Sequence, residues 1–218
     1  MRFSDHLRRQ GDELWEAQLA HPFIQGIADG SLSEDRFRVW LRQDYTYLLD
    51  YVRVASLGVT RAPDEETMGR FAETAHRVLG MELDLHRGYA AEFGVGTDEL
   101  AGEEMMPATR AYVDHLMRTA LIGEVAELPA ALLPCIWGYS WIGERLAERP
   151  PPAEPRYARW IELYASDRFN DVAVWCRELT DRLAEESSPR VRDRAEQAFM
   201  RSSRHELACW NQAWEAGA

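Results

Sequence analysis

Apolar residues recur every three to four positions through nearly the whole chain, and no stretch of useful length alternates apolar with polar residues. That period belongs to α-helices and leaves no material for a sheet. Ser4 can cap a helix running to about Ala20, with Leu7, Leu14, Trp15 and Leu19 on one stripe. His21 and Pro22 break it. After a second break at Gly30, Ser33 is placed to cap a long helix through Tyr45 and Tyr51 to about Arg61, with Glu34 and Asp35 at the positive end of its dipole. Ala62 and Pro63 stop that helix, and the next starts at Pro63 or Asp64 and ends near Gly94 or Gly96. Further helices are predicted over about Pro107 to Leu121, Glu124 to Glu148, Pro155 to Tyr164, Asp167 to Glu185 and Pro189 to Ala216. The prolines at 150, 151 and 152 form a rigid connector, too short to separate distinct cores. Residues 1–218 therefore read as one all-α domain of long antiparallel helices.

Charge narrows the partners. The chain has 25 basic and 37 acidic residues, a formal net charge of −12, and every basic residue is arginine. An acidic surface does not neutralise phosphates, so no nucleic-acid partner is expected. Without lysine there is no Schiff base and no phosphate-loop ammonium. The longest apolar stretch, Leu128 to Gly138, is too short to cross a bilayer and holds two prolines, so no membrane partner is expected. The N-terminal segment carries charge throughout and does not read as a signal peptide. Cys135, Cys176 and Cys209 are odd in number and widely spaced, as reduced thiols of a cytoplasmic protein would be.

Two features are unusual for a plain bundle. Pro129 and Pro134 sit inside an apolar helical run, where each is expected to remove a backbone hydrogen bond and kink the helix, and Cys135 follows the second directly. Tyrosines also stand among apolar residues at helical spacing. Asp44, Tyr47 and Tyr51 share a helix face, as do Cys135 with Tyr139 and Glu206 with Trp210, while Tyr112 and Tyr164 lie on two more helices. Spacing alone also allows ordinary readings: core tyrosines with satisfied hydroxyls, a small buried thiol, a surface glutamate. Glu82 and His86, at i and i+4, raise the question of a di-iron site, but no Glu-x-x-His pair recurs and the remaining histidines are scattered, so no metal is expected. His21, before a proline at a helix break, reads as a capping or surface histidine.

At these residues the sequence resembles the TenA (thiaminase II) family. The segments HPFIQGIADGSL and LRQDYTYLLDYV resemble its N-terminal signature. LPAALLPCIWGYSWIGERL is similar to the segment with the nucleophilic cysteine, WIELYASDRF to one with a substrate-contacting tyrosine, and SSRHELACWNQAW to the one with the catalytic glutamate. The blocks run in family order from about residue 2 to 214. The resemblance implies a haem-oxygenase-like helical bundle, usually a homotetramer, without haem, metal or other cofactor. It implies catalysis by Cys135 and Glu206 and substrate binding by Asp44, Tyr47, Tyr112, Tyr139 and Tyr164, in the branch with a cysteine nucleophile. Cys209 stands where the family has an aromatic residue, which bears on pocket shape rather than on the chemistry.

The implied reaction is hydrolysis of a thiamin-derived pyrimidine: an aminomethyl pyrimidine becomes a hydroxymethyl pyrimidine plus ammonia, with thiamin itself as a second substrate. The residue types suit it. A thiolate adding to an electron-poor ring carbon, while an acid protonates the ring nitrogen, turns the ring into an electron source that expels the amine. Glu206 is the proton donor in this scheme, Asp44 orients the ring amino group and the tyrosines wall the ring. What activates Cys135, an ordinary thiol being mostly protonated at neutral pH, is not visible in the sequence. The alternatives are a haem-oxygenase-like protein acting on another small substrate and a non-catalytic binding or regulatory homologue.

Overall fold

Four of the longer helices begin where a short polar side chain takes up a free backbone N–H group of the first turn. Ser33 accepts from Arg36 N, Asp64 from Thr67 N, Ser166 from Phe169 N and Ser188 from Val191 N. The computed structural model describes residues 1–218 and is helical throughout, with no strand. In chain order the helices are α1 (Phe3–Gln10), α2 (Asp12–Leu19), α3 (Pro22–Asp29), α4 (Glu34–Arg61), α5 (Glu65–Arg77), a π-helical turn (Val78–Glu82), α6 (Leu83–Glu92), α7 (Thr97–Ala101), α8 (Pro107–Ile122), α9 (Glu127–Ala147), α10 (Pro155–Tyr164), α11 (Asp167–Glu185) and α12 (Pro189–Ala216).

Several predicted boundaries give way to local chemistry. The helix expected from Ser4 to Ala20 is split in two at Gly11, where a Cβ would stand 2.9 Å from the Phe199 ring. A separate helix, α3, follows the break at His21, whose Nδ1 accepts from Phe23 N and whose Nε2 meets Asn211 Oδ1 at 3.1 Å. His21 is thus a cap, as expected. The helix expected to end near Gly94 is interrupted by the π turn and followed by the short, unpredicted α7. The helix expected from Glu124 starts at Glu127, because Glu124 N bonds the Glu127 carboxylate instead. Pro129 therefore lies in the first turn of α9, where an N–H would have no helical partner, and only Pro134 interrupts the ladder.

Helix α9 is the axis of the core. Its residues from Leu128 to Pro134 are all buried, and it is covered by α8, α10, α11 and α12. A helix apolar on every face must be enclosed. Small residues set how closely its neighbours come: a Cβ on Gly143 would lie 2.5 Å from the Tyr164 carbonyl carbon. Across the bundle, a Cβ on Gly58 of α4 would strike the Phe71 ring of α5 at 2.7 Å. No helix is long and apolar enough to cross a membrane.

Gly143 yields the first prediction. Gly143→Ala forces α9 away from the α10–α11 junction, a clash with backbone that no rotamer change relieves. Overpacking of this kind destabilises by about 1–3 kcal/mol, to be read as a lower denaturant midpoint with an unchanged m-value. A midpoint equal to the parent's would show that the two helices have room to separate.

Candidate functional site

Residues from four helices meet around one cavity of about 410 Å³. Helix α4 contributes Trp40, Gln43, Asp44 and Tyr47, α8 contributes Tyr112, α9 contributes Cys135 and Tyr139, and α12 contributes Glu206. Of the seven residues singled out in the sequence, six line it. The seventh, Tyr164, does not: it is buried behind Tyr139, ring centroids 4.8 Å apart, and buttresses that wall. Tyr47 and Tyr112 face each other at 5.2 Å, and Trp210 backs Tyr139 at 5.3 Å.

The walls are braced by amides that spacing did not reveal. Gln43 donates to Glu104 O and accepts from Met106 N, tying α4 to the entry of α8. Gln212 accepts from Ala108 N and donates to Thr109 Oγ1, tying α12 to the same turn. Two cross-ties at its N-terminus fix the helix that presents Tyr112.

The reactive groups are held in unusual states. Glu206 is 3% exposed, far from the surface position that spacing allowed. Burial pushes its carboxyl up to about 8, the charge of Asp44 adds to the shift, and the approach of the Tyr112 hydroxyl opposes it. At neutral pH it therefore keeps its proton. Burial also pushes the Cys135 thiol well up, Glu206 adds to this wherever it is ionised, and the Tyr47 hydroxyl draws the thiol down. Cys176 is raised by burial alone, its thiol directed at Pro129 O, so it has no charged neighbour to work with.

Asp44 is engaged in a way the sequence did not suggest. Its Oδ2 lies 2.7 Å from Nε2 of His86, whose ring is fully buried. His86 Nδ1 meets the backbone carbonyl of Glu82 at 2.7 Å. A carbonyl only accepts, so Nδ1 carries a hydrogen, and the Nε2–carboxylate contact then needs a second proton. Burial opposes the imidazolium, but the hydrogen bond and charge of Asp44 prevail and raise His86 above its ordinary value. Both nitrogens being used, His86 is the partner of Asp44. The Glu82–His86 pair noted in the sequence joins no metal-binding cluster, since nowhere do three or more His, Cys, Asp or Glu side chains converge in that way. The signal in the sequence was the i, i+4 spacing of Glu82 and His86; nothing local could show that His86 faces Asp44, 42 residues away.

The cavity is built for an occupant. Tyr47 Oη, Tyr112 Oη and Glu206 Oε1 are buried without hydrogen-bond partners, a state that costs about 1–3 kcal/mol for each group. A flat ring bearing donors and acceptors on its edge would satisfy them between aromatic walls.

Residues 8–216 match the TENA/THI-4/PQQC family. An aminopyrimidine aminohydrolase of Halalkalibacterium halodurans is 39% identical over 98% of this chain and 96% of that protein. The structure of a TenA homologue from P. horikoshii OT3 superposes with a TM-score of 0.92 at 26% identity, covering 99% of this chain and 100% of the other. A domain from Shewanella denitrificans OS217 with a haem-oxygenase-like fold superposes at a TM-score of 0.76 and 14% identity, over 97% of this chain and 91% of that one. The fold is therefore the haem-oxygenase-like helical bundle.

The second prediction concerns stability. Unfolded, Glu206 ionises near the ordinary 4.5, and folded near 8. Between these values unfolding releases the proton, so stability falls as pH rises through the window. Glu206→Gln removes that dependence. Its melting temperature should exceed the parent's by several degrees at pH 8, with the difference vanishing towards pH 4. A constant difference across the range would mean that Glu206 is ionised in the folded protein.

Proposed function

This chain belongs to the TENA/THI-4/PQQC family, and from that premise we propose that it is an aminopyrimidine aminohydrolase with Cys135 as its nucleophile. Its substrate is an aminomethyl pyrimidine derived from thiamin, released as hydroxymethyl pyrimidine and ammonia. The observation that carries the reading is a thiol, a protonated carboxyl and a carboxylate on one aromatic-walled cavity whose polar atoms lack partners.

Asp44 Oδ2 is taken by His86, which leaves Oδ1 to accept from the amino group on the ring. Tyr47, Tyr112 and Tyr139 enclose the ring, and Tyr164 holds Tyr139 against it. Glu206 gives its proton to a ring nitrogen as the Cys135 sulfur bonds to an adjacent ring carbon. The carboxylate so formed then takes the thiol proton, and no free thiolate has to exist beforehand. The electron-rich ring expels the amine from the exocyclic methylene. Water adds to the exocyclic double bond, and reversal of the first step frees Cys135. Cleavage of thiamin, with thiazole as leaving group, follows the same course. A homotetrameric assembly and a cytoplasmic location belong to the same proposal.

The test is ammonia release from aminomethyl pyrimidine. Cys135→Ser should abolish it while melting as the parent does, because an alcohol is a far weaker nucleophile, and Cys176→Ser should leave it intact. Glu206→Gln should lower kcat by the roughly 10²- to 10⁴-fold of a lost general acid, with little change in affinity. A Cys135→Ser protein retaining more than about a tenth of the rate would sink the covalent route. Asp44→Asn on the Cys135→Ser background should weaken pyrimidine binding by about 1.5–3 kcal/mol, as for a charge-assisted hydrogen bond. Unchanged calorimetric affinity would mean that the ring amine is held elsewhere.

A further inference from the structure

Cys135 also borders a second, larger space of about 610 Å³ on its other side. The walls there are mostly apolar, with Leu48, Val78, Met81, Leu163, Phe169 and Val172 among them. Polar residues interrupt the lining: Tyr51, Thr74, Arg77, Glu82, Ser166 and Arg168. Tyr51 is 4% exposed and its Oη has no hydrogen-bond partner. The Glu82 side chain makes no hydrogen bond or ion pair; only its backbone carbonyl is engaged, by His86. Two polar side chains thus face a mostly apolar space without a hydrogen-bond partner; Tyr51 feels the charge of Cys135, and Glu82 that of Asp44, opposed by His86 and Arg77.

The backbone makes this arrangement. The π turn Val78–Glu82 inserts an extra residue between α5 and α6. Val78, Met81 and Glu82 all line the second space, while His86, one turn on, still reaches Asp44. Turns of this kind strain the ladder and recur at functional sites.

We propose that this compartment receives the leaving-group side of the substrate, apolar substituents on the departing nitrogen included, and that Glu82 is a second catalytic acid that protonates that nitrogen. The inference rests on the hydrolase reading above and extends it. Cys135 stands between the compartments, so a ring stacked against Tyr47 and Tyr112 directs its exocyclic methylene past the sulfur towards Glu82. As the carbon–nitrogen bond breaks, its electron pair goes to nitrogen and the Glu82 proton goes with it. The Glu82 carboxylate then accepts a proton from the water whose oxygen bonds to the methylene carbon, which restores the acid. Burial and the charge of Asp44, against the opposing charges of His86 and Arg77, bring Glu82 up to about 7, a value at which it can both give and take a proton near neutrality. Glu206 serves the ring nitrogen and Glu82 the leaving nitrogen.

Leaving-group dependence separates these roles. Two probes share the pyrimidine: one carries an amine on the methylene, the other a 4-nitrophenoxy group, which departs as a stable anion and needs no proton. Glu82→Gln should slow the amine substrate at least about 100-fold more than the aryl ether. Glu206→Gln should slow both alike. Equal loss on the two probes with Glu82→Gln, or no loss on the amine, would overturn the assignment of Glu82. Val172→Trp, which narrows the compartment and leaves both carboxyl residues in place, should raise the ratio of KM for an N-benzyl aminomethyl pyrimidine to KM for the unsubstituted one about tenfold. An unchanged ratio would overturn the compartment's role even if Glu82→Gln failed to fold. A parent protein that released neither ammonia nor nitrophenolate would instead refute the hydrolase reading itself.

Discussion

A single shared proton, between the fully buried His86 ring and the Asp44 carboxylate 2.7 Å away, is the interaction on which the interior depends. Burying an ion pair is expensive, and breaking one is more so, because it strands the surviving charge. Here the second imidazole nitrogen is locked by the Glu82 carbonyl, so the ring cannot turn away from Asp44. The charge of Asp44 contributes to the upward shifts of Glu206, Glu82 and Cys135. Burial is the larger cause in each case, and the charge of Asp44 adds to it. Acids poised to donate are the outcome, and they lie on both sides of the thiol.

Such an arrangement needs a scaffold that does not relax. Tight backbone approaches supply it, as at Gly143 against Tyr164 and Gly58 against Phe71. Arginine, the chain's only long cation, finishes the periphery. Arg61 donates to carbonyls at the end of α8, and Arg182 joins α11 to the N-cap of α5 through Asp64 and Thr67. Contacts of this exposed kind add little each. The buried aromatic stack of Trp160, Tyr164, Tyr139 and Trp210 carries more, since each ring removes a large apolar area from water.

Helical period, capping serines and prolines were enough to locate most of the long helices, because those signals act within a few residues. The failures have causes that no short window contains. α1 ends at Gly11, a position restricted to glycine by the Phe199 ring from the far end of the chain, and the π turn over Val78–Glu82 has no periodic signature. Asp44, Cys135 and Glu206 were found through family resemblance; spacing alone could not have joined groups from α4, α9 and α12. His86 and Glu82 were noticed for their i, i+4 spacing, but the partner of His86 lies on α4 and Glu82 lines the second compartment, placements that a helix pattern does not encode. Tyr164 shows the converse: the motif identified it, and the structure places it one layer behind the cavity wall.

The state of Cys135 links the fold to the chemistry. A buried thiol beside a carboxyl cannot be a standing thiolate, and the Tyr47 hydroxyl offsets only some of that penalty. In the proposed reaction, reactivity therefore arises on binding, when a ring nitrogen arrives to accept the Glu206 proton and the vacated carboxylate can take the thiol's. Only one proton then moves at each position, and no isolated charge appears in the apolar interior. A permanently ionised thiol would be exposed to oxidation and adventitious electrophiles. In the proposed scheme a thiol activated by its own substrate avoids both, because the same burial that holds the carboxyls protonated also keeps the thiol protonated until the ring arrives.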